Sequence, residues 1–254
     1  MGAVAAQERS LDWDGCFNVR DLGGLETASG GRTRHGAVVR SDNVRRLTAR
    51  GWDAALAHGV RRVVDLRFEN EEPGEPDAHE AVEVVALPLH GPHRPADTEA
   101  FEQRMSEVDD IAPVFTDGYI RMLQRTERVG AAVAAVADAD PEHCVVVHCF
   151  AGKDRTGLVS AILLSLAGVP DDVVAADYAA SDPGVARLCE SWFARAGSAA
   201  ERELRQRICR SPEESMLGVL GWLRESAGGA ESYLQTAGLD DRQIERLRLR
   251  LLPA

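Results

Sequence analysis

The sequence predicts an α/β domain with a mostly parallel central sheet flanked by helices. Three observations carry that expectation. Short Val-rich runs are bounded by polar or turn residues, and helical apolar patterns lie between and after them. In addition, 44% of the 254 residues are hydrophobic, enough for one sizeable core.

The expected strands are 37–40, 60–66, 82–87 and 144–148. Their consecutive β-branched residues suit burial on both faces. Helical periodicity covers 48–58, 114–137, 156–166, 171–180, 185–196, 212–226 and 240–252. Segment 69–95 is proline-rich and acidic at its start, and it reads as loop around one strand. Segment 181–212 mixes helix with Ala, Gly and Arg. Each of these two segments is either a lid over a pocket or an ordinary surface connection. Without repeats or low-complexity tracts, the expectation is a single domain over 1–254. It would have an N-terminal module at about 11–47 and C-terminal helices at about 212–252.

The chain carries 29 Lys or Arg against 41 Asp or Glu, a net charge of −12. This argues against a general nucleic-acid binder, whose footprint is a basic face. It leaves room for a small anionic substrate in a locally positive pocket. The first ten residues lack a basic region followed by an apolar one, and the longest uncharged apolar stretch, 156–170, is too short to span a bilayer. A cytoplasmic protein without a membrane span is expected. The five cysteines are an odd number with no CxxC pair, which is neither a disulfide framework nor a zinc site, so no metal and no cofactor are expected.

The informative segment runs from a valine strand into His148-Cys149-Phe150-Ala151-Gly152-Lys153-Asp154-Arg155-Thr156-Gly157 and then an apolar helix. A loop between a strand end and a helix N-terminus gathers backbone N–H groups, and the helix dipole adds positive character. Gly152 permits a small loop radius. Arg155 offers a bidentate fork for two phosphate oxygens. Such a field also favours a thiolate, which places Cys149 beneath a bound phosphate for in-line attack. The plain alternative for Cys149 is a small buried apolar residue, but that leaves Gly152, Lys153, Arg155 and the helix start unexplained. Spacing alone is weak: Cys189 and Arg195 are equally spaced, but with Glu-Ser-Trp-Phe-Ala between them and no glycine. Lys153 is the only lysine in the chain, and it falls inside this loop.

The loop resembles the signature of cysteine-dependent protein phosphatases. The similarity is greatest to the bacterial tyrosine or dual-specificity group, whose members can also act on phosphoinositides. Three further stretches resemble parts of that family: Asn18-Val-Arg-Asp-Leu-Gly-Gly24 with Gly36-Ala-Val-Val-Arg40-Ser41-Asp42, Val64-Asp65-Leu66-Arg67, and Tyr233-Leu-Gln-Thr-Ala-Gly-Leu239. The resemblance implies a cysteine-phosphatase-like fold and a two-step reaction through a phosphocysteine. Cys149 would be the nucleophile, with Phe150, Ala151, Gly152, Lys153, Asp154 and Arg155 around the phosphate.

The leaving oxygen needs a proton. Asp65, at a strand end, is the first candidate acid, and Asp154, within the loop, is the second. Each could instead serve as a hydrogen-bonding or orienting residue. His148 is expected to hold Cys149 in place. Thr156 is expected to donate to the cysteine sulfur, to cap the helix, or both. Lys153 adds a second positive charge, which suits a substrate with more than one phosphate. The substrate is then a phosphorylated protein or a small anionic phosphate ester. Competing readings are the same chemistry on a nucleotide or sugar phosphate, a non-catalytic phosphate-binding module, and a rhodanese-like sulfurtransferase.

Overall fold

The computed structural model describes residues 9–68, 71, 78–90 and 95–253. Five strands form one sheet: β1 (Arg20–Asp21), β2 (Val38–Ser41), β3 (Val60–Asp65), β4 (Glu83–Ala86) and β5 (Cys144–His148). Their order is β1-β2-β5-β3-β4. Among these described strands, only the β1–β2 pair is antiparallel. The mostly parallel α/β sheet is therefore as the sequence predicts. Strand β1 escapes notice because two residues carry no periodicity.

β5 is central and wholly buried, which explains its run of valines. Alternate residues face opposite cores. Val145 and Val147 join Val38 and Val64 on one side. Cys144 and Val146 join Val39, Val63, Trp13 and Trp52 on the other. The register places Ser41, His148 and Asp65 side by side at the carboxyl edge of three neighbouring strands, where open α/β sheets hold their ligands.

Helix α1 (Ala49–Ala57), capped by Thr48, follows β2. After β4 come α2 (Pro95–Glu107), α3 (Ala112–Leu123) and α4 (Thr126–Ala137). The single helix expected over 114–137 is thus two, because Arg125 leaves helical dihedrals at φ −86°, ψ 57°. Helix α2 lies largely beyond the segment read as loop. Its polar sequence buries only Met105 fully, so its apolar period is faint. Segment 91–94 and most of 69–77 lie outside the described residues, and with them the lid expectation for that stretch.

Helix α5 (Asp154–Leu166) is apolar on nearly every side and runs through the core away from β5. Helices α6 (Asp171–Ala179), α7 (Asp182–Leu188), α8 (Glu190–Ala194), α9 (Ala199–Ile208), α10 (Glu213–Ala227), α11 (Gly229–Thr236) and α12 (Asp241–Leu251) follow. The helix expected over 185–196 is divided at Cys189, which is at once the end of α7 and the start of α8. The C-terminal helices begin with α10 and include α11, which overlaps the stretch 233–239 marked by resemblance.

Candidate active site

Between β5 and α5, residues 149–153 form a tight loop whose carbonyls are all engaged on its outer side. His148 Nδ1 donates to the Cys149 carbonyl at 3.1 Å. The Asn43 N–H meets the Phe150 carbonyl at 3.2 Å. Asn18 Nδ2 reaches Ala151 at 2.8 Å, and Arg40 Nη2 reaches Gly152 at 2.8 Å. The Gly157 N–H takes the Lys153 carbonyl as the helix begins. Among the described residues, the N–H groups of Phe150, Ala151, Gly152 and Lys153 meet no acceptor. They face the concave side together with the free N–H groups of the first turn of α5. The result is a loop of unpaired backbone donors that begins at Cys149, an arrangement that can accept an anion.

Gly152 closes this loop at φ +66°, where a Cβ would lie 2.6 Å from the backbone of Ser41 and Asp42. The stretches 18–24 and 36–42 thus supply the loop's rear wall. The Asp42 carboxylate accepts the Phe17 and Asn18 N–H groups. Arg40 is held by Asp177 at 2.6 Å, and Asp177 also pairs with Arg9 at 2.6 Å and faces Arg20. Burial pushes the Asp177 carboxyl up, but these three guanidiniums overwhelm that effect and keep it ionised. Four charges, three positive and one negative, are buried behind the loop, consistent with a site built to hold an anion.

The structure places the expected site residues unequally. Cys149 is buried at the start of the loop. Arg155, in the first turn of α5, turns its two terminal nitrogens onto Glu71 Oε2 and Oε1 at 2.6 and 2.7 Å. Burial opposes its charge, but Glu71, Cys149 and Asp154 hold it protonated. Phe68 lies under the same guanidinium at 5.4 Å. Sequence reasoning missed Glu71, whose only signal was an acidic loop.

Asp154 accepts a 2.5 Å hydrogen bond from the Tyr119 hydroxyl, itself 2.7 Å from Tyr178. Burial raises the Asp154 carboxyl, but Lys153, Tyr119 and Arg155 together hold it below the usual range. Its side chain remains 37% exposed.

Asp65 is turned elsewhere. Its carboxylate takes the Arg67 N–H and guanidinium at 3.0 and 2.9 Å, and it stands 3.5 Å from His148 Nε2. Burial pushes its pKa up, and Arg67 with His148 brings it down further than that. His148 is fully buried, which depresses its pKa to about 4 and leaves the ring neutral at pH 7.

Thr156 does not cap α5. Lys153 occupies the cap position with no side-chain cap bond, and the Thr156 hydroxyl is buried without a hydrogen-bond partner among the described residues. The Lys153 ammonium also departs from expectation: it does not enter the loop. It donates to the Ile208 carbonyl at 2.8 Å, lies 4.1 Å over the Phe115 ring and stands 3.4 Å from Asp154. A buried ammonium is stabilised by such a carbonyl, carboxylate and aromatic face more than by aiming at a group of backbone N–H donors.

A cavity of about 690 Å³ adjoins the start of α5 at Asp154 and Arg155. Asp154, Arg155, Phe68, Phe115, Tyr119, Arg121 and Arg125 line it; neither Asp65 nor any of residues 149–153 is among its lining residues. Helix α2 and Ile208, at the end of α9, form part of its wall. Among the described residues no three His, Cys, Asp or Glu side chains converge to hold a metal ion. Nor is any helix long and apolar enough to cross a membrane.

Residues 11–253 match a family profile described as "Tyrosine phosphatase family". A protein from Nostoc commune named "Tyrosine-protein phosphatase" is 29% identical over 228 residues, covering 85% of this chain and 74% of its own. A "Triple specificity protein phosphatase PtpB" from Mycobacterium tuberculosis is 28% identical over 268 residues, covering 92% and 96% respectively.

Proposed function

The chain belongs to the tyrosine phosphatase family and is an enzyme of the protein-tyrosine-phosphatase type; on that premise we propose that it hydrolyses phosphate monoesters through a phosphocysteine formed on Cys149. The observation that carries this reading is the loop of unpaired N–H groups that begins at a buried cysteine and leads into Asp154 and Arg155. The loop and Arg155 bind the three terminal phosphate oxygens. The Cys149 thiolate attacks phosphorus, the P–S bond forms and the ester P–O bond breaks.

Asp154 gives the leaving oxygen its proton. It lines the cavity, whereas Asp65 is committed to Arg67 and His148 and acts as a positioning residue. A phosphate dianion beside Asp154 favours its protonated form, which offsets the pull of Lys153 and Tyr119. In the second step Asp154 takes a proton from water, which attacks phosphorus as the P–S bond breaks. The unpartnered Thr156 hydroxyl donates to the departing sulfur.

The aromatic walls suit a phosphotyrosine ring. The cavity is wide enough for shorter phosphoserine and phosphothreonine side chains on a protein loop. Arg121 and Arg125, which have no ion-pair partner among the described residues, suit a substrate with a second anionic group, including a phosphoinositide. The name of the M. tuberculosis relative, "triple specificity", favours breadth of this kind.

Cys149→Ser is expected to abolish p-nitrophenyl phosphate hydrolysis at every pH, and acid quenching of the unmutated enzyme with labelled substrate to trap a phosphoprotein. Turnover retained by the serine variant would sink the mechanism. Asp154→Asn is expected to slow alkyl phosphate hydrolysis by roughly 100-fold or more while sparing a substrate with a good leaving group. If Asp65→Asn shows that selectivity instead, the acid has been misassigned.

A further inference from the structure

Two more cysteines meet beside the phosphate loop. Cys189 stands where α7 passes into α8, and Cys209 ends α9. Both belong to one small buried cluster with Val185, although they come from different helices. Ala151 of the loop, Trp192 and Phe193 pack against it. Neither is sealed from solvent: Cys189 is 9% and Cys209 8% exposed. Cysteines serving only as small apolar residues have no reason to come together across 19 intervening residues. The remaining three cysteines are separate from this cluster and, like these two, are unbridged.

We propose that Cys189 and Cys209 are a modification site, oxidised by a peroxide to a reversible disulfide that fastens the α7–α8 junction to the end of α9. Cys189 reacts first. The Cys209 thiol lies beside it in the same cluster, and the Lys153 ammonium, anchored on the carbonyl of neighbouring Ile208, adds positive charge nearby. Both favour the Cys189 thiolate, whose proton passes to water. That thiolate attacks one peroxide oxygen, the O–O bond breaks and hydroxide leaves, which gives a sulfenic acid. The Cys209 sulfur then attacks the sulfenic sulfur. The S–S bond forms, the S–O bond breaks and water departs with the Cys209 proton. Two thiols lose two protons and two electrons, and one peroxide becomes two waters.

The bond would have a local structural effect. Ile208 lines the cavity and holds Lys153, so fixing its neighbour Cys209 to the α7–α8 junction restrains the cavity wall formed by α9. Segment 181–212 would then have two states, tied and untied.

The test uses the full chain, both unmutated and with Cys149→Ser to remove the loop thiol. Each is treated with hydrogen peroxide, blocked with N-ethylmaleimide and digested without reductant for mass spectrometry. The expected product is a peptide joining Cys189 to Cys209, two hydrogens lighter than the sum of its parts and released by dithiothreitol. Limited proteolysis between residues 190 and 208 is expected to slow roughly tenfold in the oxidised protein. Cys189→Ala and Cys209→Ala should each remove the link without creating another. Separate alkylation or over-oxidation of the two cysteines, or linkage of either mainly to a different cysteine, would overturn the proposal. The readout is mass rather than turnover, so its failure would leave the phosphatase reading intact.

Discussion

Behind the loop, the carbonyls of Phe150, Ala151 and Gly152 meet donors from β2 and the stretches flanking β1 and β2, all of them buried. In front of it, Arg155 and Asp154 meet side chains, Glu71 and Tyr119, that reach them at the wall of an open cavity. The rear contacts run from a packed frame to backbone and give a bound anion nothing to replace. The front contacts are between groups of opposite charge or matched polarity, and a phosphate can compete for them. The loop is therefore preformed, and its charged rim is exchangeable.

The largest effect is expected where that rear frame has no slack. Gly152→Ala puts a methyl 2.6 Å from the Ser41 and Asp42 backbone at a φ of +66° that alanine adopts only with strain. The loop or β2 must shift by a large fraction of an ångström. Steady-state kinetics on an aryl phosphate should show kcat/KM reduced roughly 100-fold or more. Circular dichroism should show a protein that remains folded. Near-normal kinetics would mean that the rear wall yields and the contrast is false.

A smaller effect concerns His148, which joins the rear frame to Asp65. Burial depresses its pKa to about 4, so it is neutral in the fold and protonated in the unfolded chain below its ordinary value. Between those two values the unfolded state binds more protons, so stability is complete above the ordinary range and declines as pH falls toward 4. At pH 5 the loss relative to pH 7 is about 2 kcal/mol from this residue alone. His90, depressed to about 4 mainly by burial, acts in the same direction, so the comparison must be with a variant. Urea unfolding at the two pH values should show a smaller loss for His148→Asn, which keeps a donor for the Cys149 carbonyl. Equal losses would remove His148 from the frame as a buried neutral group.

The rear of the site was more legible in the sequence than the front. Strand β5, the loop and the start of α5 follow from a valine run, a glycine and an apolar helix, all local signals. The stretches 18–24 and 36–42 were marked by resemblance, although nothing in their spacing says that Asn18 and Arg40 grip the loop. Glu71 and Tyr119 carry no local signal that singles them out. One lies in an acidic loop and the other on an ordinary amphipathic helix, and only the folded chain brings them to Arg155 and Asp154. The solitary Lys153 lies in that loop. Its ammonium turns toward Ile208 because the partners that stabilise a buried cation come from α3 and α9, remote in sequence.

Glu71→Gln is the finest test of the contrast. In the structure both terminal nitrogens of Arg155 are occupied by one carboxylate. Burial raises the Glu71 carboxyl, but Arg155 lowers it by more, so a substrate phosphate meets an ionised competitor. Removing that charge weakens the competitor while keeping an oxygen that can orient the guanidinium. Inorganic phosphate and vanadate should then inhibit at about 3- to 10-fold lower concentration, the scale of one charge-assisted hydrogen bond. KM should fall with them, and kcat should change by less. If phosphate binding weakens and kcat falls together, Glu71 is instead a fixed anchor that aims Arg155, and the front of the loop is as rigidly framed as its back.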